Sequence, residues 1–508
     1  MKLARGIAAL VALAVAGITW SASAAADGRI AITTADGRVA SASAPTSSAA
    51  YRRALNLGIA AYIYGYPLLD TDRIFRTATS ANVPNGQGAG PVNQFSHVRR
   101  LADPSDRTVV APNHDTLYSL AWLDLRRGPI VIHMPVVHRR FAVMELLDPY
   151  TNSFGNIGAV GYPSGNYAVV GPGWRGRLPQ GVRPLRSRYT RVWIIGRTYV
   201  RNAADTPNVV RVQNQYTLTP LAQWGRRYRS AVPKHKSTRA RSYSIPGTAA
   251  GADPLAFFDA LGDQLKKFPP PGADRPLLRR LASVGIGPGL HPRTNARLSA
   301  ETRRGLRDAV GAGAKQIKAD IQTAFLSGAR AHNGWLVART GSYGIDYSRR
   351  AIVDAIGVGA PLSSLAIYPF TVTDRNLRPL SATNRYVVHF SPRYLPFPVQ
   401  AFWSITLYDS SGFLVPNRAG IYLINNRSHL HLNPDGSLDV YVQPDAPRDP
   451  VQRRNWLPSP AGAAFRLIMR LYVPRDVGGI ISGRTWQPPT VLPCLSGGRT
   501  DAGAACAR

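Results

Sequence analysis

The densest set of groups able to exchange protons lies between Pro112 and Tyr118, where Asn113, His114, Asp115, Thr116 and Tyr118 precede an apolar, strand-like segment. An Asp beside a His and a Tyr can supply a general acid and base if the fold turns them into one cleft. Asp115 is the preferred base or anchor, and His114 and Tyr118 are the further catalytic candidates. Asp148, Tyr150, Asn152 and Asn156 form a second polar run able to line the same mouth. Asn and Asp next to Pro are also what a turn uses, with side chains satisfying loop backbone, so a purely structural role stays open.

Later in the chain, Trp403, Ser404, Asn455 and Trp456 stand out. Two indoles near an Asn can make a platform for a sugar or an acyl chain, and Trp403 reads equally well as core. Ser404 lacks the G-x-S-x-G elbow and a His/Asp order that would make it a nucleophile. The candidate ligand contacts are therefore Asn113, Asp115, Asp148, Tyr150, Asn152, Trp403, Asn455 and Trp456. Among 10 histidines, only His429 and His431 fall on one face of an expected strand. With no H-E-x-x-H helix, Cys/His cluster or calcium loop, neither a metal nor a cofactor is expected.

These residues need a scaffold, and the apolar patterning supplies mostly strands. A helical pattern from Ala50 to Tyr64 is expected to stop before Pro67. Short apolar or alternating runs then recur at Ile130 to Met134, Phe141 to Leu147, Tyr167 to Val170 and Val192 to Val200. Arg226, Arg227, Arg229, Lys234, Lys236, Arg239 and Arg241 form a basic run with no acid among them, read as an exposed connector. Two helical segments follow. Asp253 and Pro254 start one with Leu255, Phe258, Leu261 and Leu265; Ser299 starts the other with Leu306, Val310, Ile317, Ile321 and Phe325.

Beyond Asn333 the alternation sharpens. Trp403, Ile405 and Leu407 share one face of a strand, against Phe402, Ser404, Thr406 and Tyr408 on the other, as expected between two layers. Leu438, Val440 and Val442 alternate with Asp439, Tyr441 and Gln443. Leu467, Met469, Leu471 and Val473 alternate with Arg466, Ile468, Arg470 and Tyr472. Turn chemistry sits at Asp409 to Gly412 and Asn433 to Gly436.

Composition restricts the setting. The 508 residues are 44% hydrophobic and 18% charged, which excludes a disordered, collagen-like or coiled-coil chain. Lys2 and Arg5 precede an apolar stretch to Trp20 and small residues at Ser21 to Ala24, the layout of a secretory signal peptide. Cleavage after Ala24 or Ala26 is expected, leaving no transmembrane segment in the mature form. In an oxidising compartment, Cys494 and Cys506 read as a disulfide closing a C-terminal loop. The formal net charge of +34 favours anionic partners. Only seven of the 62 basic residues are lysine, so arginine bias accounts for part of it. Export argues against nucleic acid as the partner.

Several long motifs resemble known families. Asn93 to Leu125, with MELLDPYTNSFGNIG and GPGWRG after it, resembles the domain-of-unknown-function family 1254. NGWLVARTGSYGIDYSRRA, AFWSITLYDSSGFLVPN, NPDGSLDVYVQ and NWLPSP resemble its usual C-terminal companion, family 1214. The resemblance implies a β-rich, jelly-roll-like, two-part architecture, often secreted or in the cell envelope, with no agreed activity. One departure stands after Pro416-Asn417, where the family's Asn-Arg-Tyr run is replaced by Arg418-Ala419-Gly420; a binding role of that arginine would pass to Arg418.

The expected fold is mainly β: two jelly-roll-like β-sandwich domains with a short helical segment between them. The expected division is a signal peptide at 1–24, a low-complexity linker at 25–48 and an N-terminal β-rich domain at 49–225. A basic connector with helices at 226–332, a C-terminal sandwich at 333–475 and a disulfide-bearing tail at 476–508 complete it. Two functions are open. One is an exported, envelope-associated protein binding an anionic or carbohydrate envelope ligand, polymer or small molecule. The other is a metal-independent hydrolase or lyase acting on a small extracytoplasmic substrate. Homo-oligomerisation is open too.

Overall fold

The computed structural model describes residues 48–107, 110–159, 161–231, 233–326, 331–496, 498–500 and 502–507. The expected signal peptide, and all but the last residue of the linker, lie outside the described residues. The structure is β-rich, and the described residues carry four sheets, two in each half of the chain.

Nine strands build the first half: β1 (Ser96–His97), β2 (Thr116–Asp124), β3 (Ile130–Met134), β4 (Ala142–Leu147) and β5 (Ser153–Ile157) come first. They are followed by β6 (Gly165–Val170), β7 (Val182–Arg186), β8 (Arg191–Tyr199) and β9 (Thr217–Pro220). One sheet runs β1-β2-β8-β4-β5 and its partner β7-β6-β3-β9. Alternate residues of both, among them Leu123, Ile132, Met144, Tyr167, Val169 and Ile194, meet in one core.

The second half opens with β10 (Ala331–His332), β11 (Trp335–Leu336), β12 (Ala366–Ile367), β13 (Phe370–Thr371) and β14 (Tyr386–Phe390). Next come β15 (Trp403–Asp409), β16 (Leu423–Asn425), β17 (Leu438–Gln443), β18 (Trp456–Pro458), β19 (Phe465–Tyr472) and β20 (Thr490–Pro493). Their sheets run β10-β11-β13-β19-β15-β16, with β12 also on β19, and β18-β17-β14-β20. Ile405, Leu407, Val388, Val440 and Leu471 fill the space between them. Cys494 and Cys506 form a disulfide that closes the C-terminal tail.

Helices contribute more than a short connector. Helix α1 (Ala49–Thr79) is 31 residues long and passes through Pro67 instead of ending before it. Proline removes a helical N–H at a cost of about 3 kcal/mol. Here burial offsets it: Tyr64, Gly65, Leu68, Leu69 and Thr71 are all enclosed around the proline, and Thr71 Oγ1 donates to Pro67 O at 2.7 Å. The enclosing elements are α2 (Leu255–Lys267), α3 (Arg275–Ala282), α4 (Ala300–Leu326) and α5 (Tyr347–Gly357), whose apolar faces share a core with α1. The expected helix starts hold: Leu255 N–H donates to Asp253 Oδ1 at 3.1 Å, and Thr302 N–H to Ser299 Oγ at 3.2 Å. The basic run near residues 226–241 is irregular and largely exposed, and its Ser237 pairs with Asn82 just after α1.

Helices α1 and α4 run side by side in the same direction because small residues recur every fourth position. Ala54 faces Gly305, Gly58 faces Ala309, and Tyr62 faces Gly313. A Cβ at Gly58 would lie 2.5 Å from Ala309 Cβ, whereas one at Gly311 meets nothing within 4 Å. Gly58→Ala is therefore expected to lose about 1–3 kcal/mol by overpacking. Gly311→Ala should gain roughly 0.5–1 kcal/mol from reduced chain freedom. Urea unfolding of both variants checks the pair, and equal effects would refute the packing register.

Candidate functional site

Strand β2 begins at the junction of the two halves, and that placement decides what its polar leader can do. Asp115 is 1% exposed. Its Oδ2 accepts from Ser404 Oγ at 2.6 Å and its Oδ1 from Asn425 Nδ2 at 3.3 Å, so both partners come from the C-terminal half. Asn113 turns back to accept the Asp115 N–H at 2.7 Å, and its Nδ2 donates to Tyr472 Oη at 2.7 Å. Burial pushes the Asp115 carboxyl above its ordinary range, opposed by the Arg470 charge and the two hydrogen bonds.

Arg470 is the cation of this cluster. Its guanidinium donates to Thr406 Oγ1 at 2.8 Å, Tyr408 Oη at 2.6 Å and Ala111 O at 3.2 Å. Tyr408 Oη in turn donates to Pro112 O at 2.8 Å. A second buried arginine, Arg197 on β8, donates to Glu145 Oε2 at 2.6 Å and Gly359 O at 3.2 Å, and lies over the Tyr118 ring. Burial pushes the Glu145 carboxyl up while Arg197 draws it back. Tyr368, Tyr408 and Tyr472 are all raised by burial, so their phenols keep their protons.

A cleft of about 540 Å³ opens beside this cluster. Phe141, Gly158 and Ala159 form one side; Ser364, Gln400, Ala401, Val473, Pro474 and Arg475 form the other. Phe141 packs 5.1 Å from the Tyr472 ring and 5.7 Å from Phe402, which stacks on Tyr472 at 4.2 Å. Phe141 is thus the aromatic part of the cleft's wall, and the rings behind it lie on the face of β19 that carries Arg470. Arg475 is exposed at its rim.

The sequence candidates separate in space. Asn113, Asp115 and Tyr118 gather at the junction. His114 donates from Nδ1 to Ala102 O at 2.5 Å, with its ring edge-on to Tyr422. Asp148, Tyr150 and Asn152 lie at the other end of the sheet: Thr116 pairs with Tyr199, whereas Leu147 pairs with Trp193. That length of β4 separates them from Asp115 by roughly 17 Å at 3.3–3.4 Å per residue. There Asp148 accepts from the Tyr150 and Asn152 N–H groups, and Tyr150 Oη donates to Phe268 O in the helical layer.

In the second half, Trp403 stacks on Phe397 inside the sandwich core. The Asn455 amide is spent on His431 and Asp439 backbone, and Trp456 Nε1 donates to Gln443 O. The two indoles form no shared platform. His429 and His431 sit on a loop instead of a strand, and the described residues hold no group of three or more His, Cys, Asp or Glu able to take a metal ion. Arg418 is exposed. Sequence reasoning missed Arg197, Arg470, Phe141 and Arg475. A signal was present for the first two, since each is an arginine inside a predominantly apolar strand.

Comparison with known proteins bears on this architecture. A family profile described as a protein of unknown function, DUF1254, matches residues 92–220, and DUF1214, also of unknown function, matches 365–476. The chain resembles these two families in that order. The DUF1254 match spans β1 to β9, and the DUF1214 match spans β12 to β19, so the junction cluster draws on both. The VPA0106 protein from Vibrio parahaemolyticus has a similar fold, with a TM-score of 0.62, 20% identity, and coverage of 87% of this chain and 100% of that one. An uncharacterized protein from Burkholderia cenocepacia aligns at a TM-score of 0.39 and 13% identity, over 87% of this chain and 93% of its own. The search of curated proteins gives no match.

Asp148 provides a pH test of the site's far end. Burial raises its carboxyl to about 6. The folded state holds that proton more tightly than the unfolded chain, so the stabilisation is complete below about pH 4 and lost as pH rises through about 6. Asp148→Asn keeps the acceptor and removes the titration. From pH 4 to 7.5 the unmutated protein should lose of order 1–3 kcal/mol relative to Asp148→Asn in urea unfolding. Parallel pH profiles would contradict this.

Proposed function

We propose that this is an exported, envelope-associated protein that binds a small anionic envelope ligand in the cleft between its two halves. The observation that carries the reading is the cleft itself: about 540 Å³, lined by Phe141, Gln400 and Arg475. Pockets of this size suit small molecules, with apolar walls supplying affinity and a few polar groups fixing orientation. The phenyl ring offers a flat face to a sugar or acyl chain. Gln400 offers an amide, and Arg475 offers a planar cation suited to a carboxylate or phosphate. The net charge of +34 adds long-range attraction for anions, and the N-terminal leader supports export. The oxygens of Asp115 are engaged by Ser404 and Asn425, so in this reading Asp115 shapes the wall and the ligand meets the cleft.

The second reading, a metal-independent hydrolase or lyase, draws on the Asp115 carboxyl, which burial raises above its ordinary range. One experiment separates the two. Mature protein is incubated with envelope extract, passed through a desalting column and analysed by mass spectrometry beside folded Phe141→Ala and Arg475→Gln variants. Binding predicts one anionic compound retained by the unmutated protein and reduced at least tenfold in both variants. Compounds consumed and formed by the unmutated protein would establish turnover instead. Equal retention by all three proteins would remove the cleft from the account.

A further inference from the structure

The β7-β6-β3-β9 sheet has a second face, turned away from the N-terminal core. Ile132, Tyr167, Val169 and Leu185 point into that core, so strand alternation sends Val131, Ala168, Val170 and Val182 outward, where they form an apolar strip of their own. Two connectors cover this strip. The stretch between β6 and β7 contributes Trp174 and Leu178, and the short turn after β9 contributes Leu221, with Trp224 next to it. All four remain only partly buried. Each indole thus seals the strip from one connector and keeps part of its surface in solvent.

Arginines stand beside both indoles. Arg175 and Arg177 follow Trp174, Arg226, Arg227 and Arg229 follow Trp224, and Arg186 shares the outward side of β7 with Val182; all of them are exposed. The chain supplies little to neutralise them. From Pro149 to Ala252 the sequence holds one acidic residue, Asp205, and it is buried against Arg140. Asp124, just before the turn into β3, is paired with its own neighbour Arg126. Charge on an edge strand such as β7 also deters pairing with a foreign sheet. That need does not account for the arginines on the two connectors, which lie next to tryptophans and not along an open strand.

We propose that this face docks the protein on an anionic phospholipid membrane surface. Indole rings settle at the level of lipid headgroups because they join a broad apolar surface to a single donor. Arginines beside them are drawn in by the negative surface potential and reach lipid phosphates with paired hydrogen bonds. A soluble polyanion would use the charges but would have no use for half-exposed indoles set over an apolar strip. The face gives the envelope association proposed above a physical contact, and it does not rest on the cleft having a ligand.

The test sediments mature protein with vesicles of phosphatidylcholine alone and of equimolar phosphatidylcholine and phosphatidylglycerol. Binding is expected to the anionic vesicles only, and to weaken at least about tenfold in roughly 1 M sodium chloride, where the screening length is about 3 Å. Replacing Arg226, Arg227 and Arg229 together by Gln removes three exposed charges and should weaken binding at least about tenfold. Trp224→Ser, with thermal unfolding unchanged, should weaken it about fivefold or more. Dextran sulfate, a soluble polyanion, should lose affinity for the arginine variant and keep it for Trp224→Ser. No binding to anionic vesicles, or equal binding by the arginine variant, would overturn the proposal. Vesicle binding that Trp224→Ser leaves intact, or dextran sulfate binding that falls equally in both variants, would assign the face to soluble polyanions and overturn the lipid assignment. The vesicles carry no cleft ligand, so this result and that of the cleft assay can fail separately.

Discussion

Two arginines buried between facing sheets set the terms for the rest of this structure. A guanidinium taken out of water costs several kcal/mol unless every donor finds an acceptor, and its charge must be balanced nearby. Arg470 meets that demand with Thr406 and Tyr408 on its own sheet and with the Ala111 carbonyl from the other half. Arg197 meets it in part from the opposite side, using Glu145 within its sheet and the Gly359 carbonyl beyond it, while its Nε–H is buried without a partner. Neither half satisfies its own arginine completely. Each sandwich has its own apolar core, yet the two are joined through polar groups that neither can leave exposed to hydrocarbon.

The aromatic residues follow from this arrangement. A ring placed beside a buried cation excludes water while offering its negative face to the charge. Tyr118 lies under Arg197, and Tyr368 and Tyr408 lie beside Arg470. Phe402 and Tyr472, both buried, then cover the outer side of the cluster, and Phe141 packs on them and lines the cleft. The cleft is thus a by-product of sealing the junction. A helical layer supports the far end of the same sheet, since α1 reaches Trp122 and Trp193 of the β2–β8 pair through Ile74 and Phe75.

Much of the secondary structure was legible because its signals are local. The runs near residues 130–134, 142–147, 165–170 and 191–199 alternate or stay apolar, and each is a strand. The two-sided burial of β15 was legible in Trp403 to Tyr408, where both faces carry large apolar groups. The continuation of α1 beyond Pro67 was not, because it is decided by helices about 190 to 250 residues later in the chain. The partners of Asp115 were hidden for the same reason: Ser404 is 289 positions away and Asn425 310. A turn-like Pro-Asn-His-Asp run reads alike whether it faces solvent or closes a junction. Asp148 and Tyr150 resembled companions of Asp115 in sequence, and strand register sends them to the opposite end of the sheet.

The central claim is that charges contributed by both halves stabilise one another across the junction, and a double-mutant cycle on Asp115 and Arg470 tests it most directly. Asp115→Asn and Arg470→Met remove one charge each with little change in volume. Urea unfolding of the unmutated protein, both single variants and the double variant gives the coupling energy. The account predicts a single cooperative transition in the unmutated protein and a coupling above about 1 kcal/mol. Additivity within about 0.5 kcal/mol would contradict it, because the two charges would then be stabilised independently within their own halves.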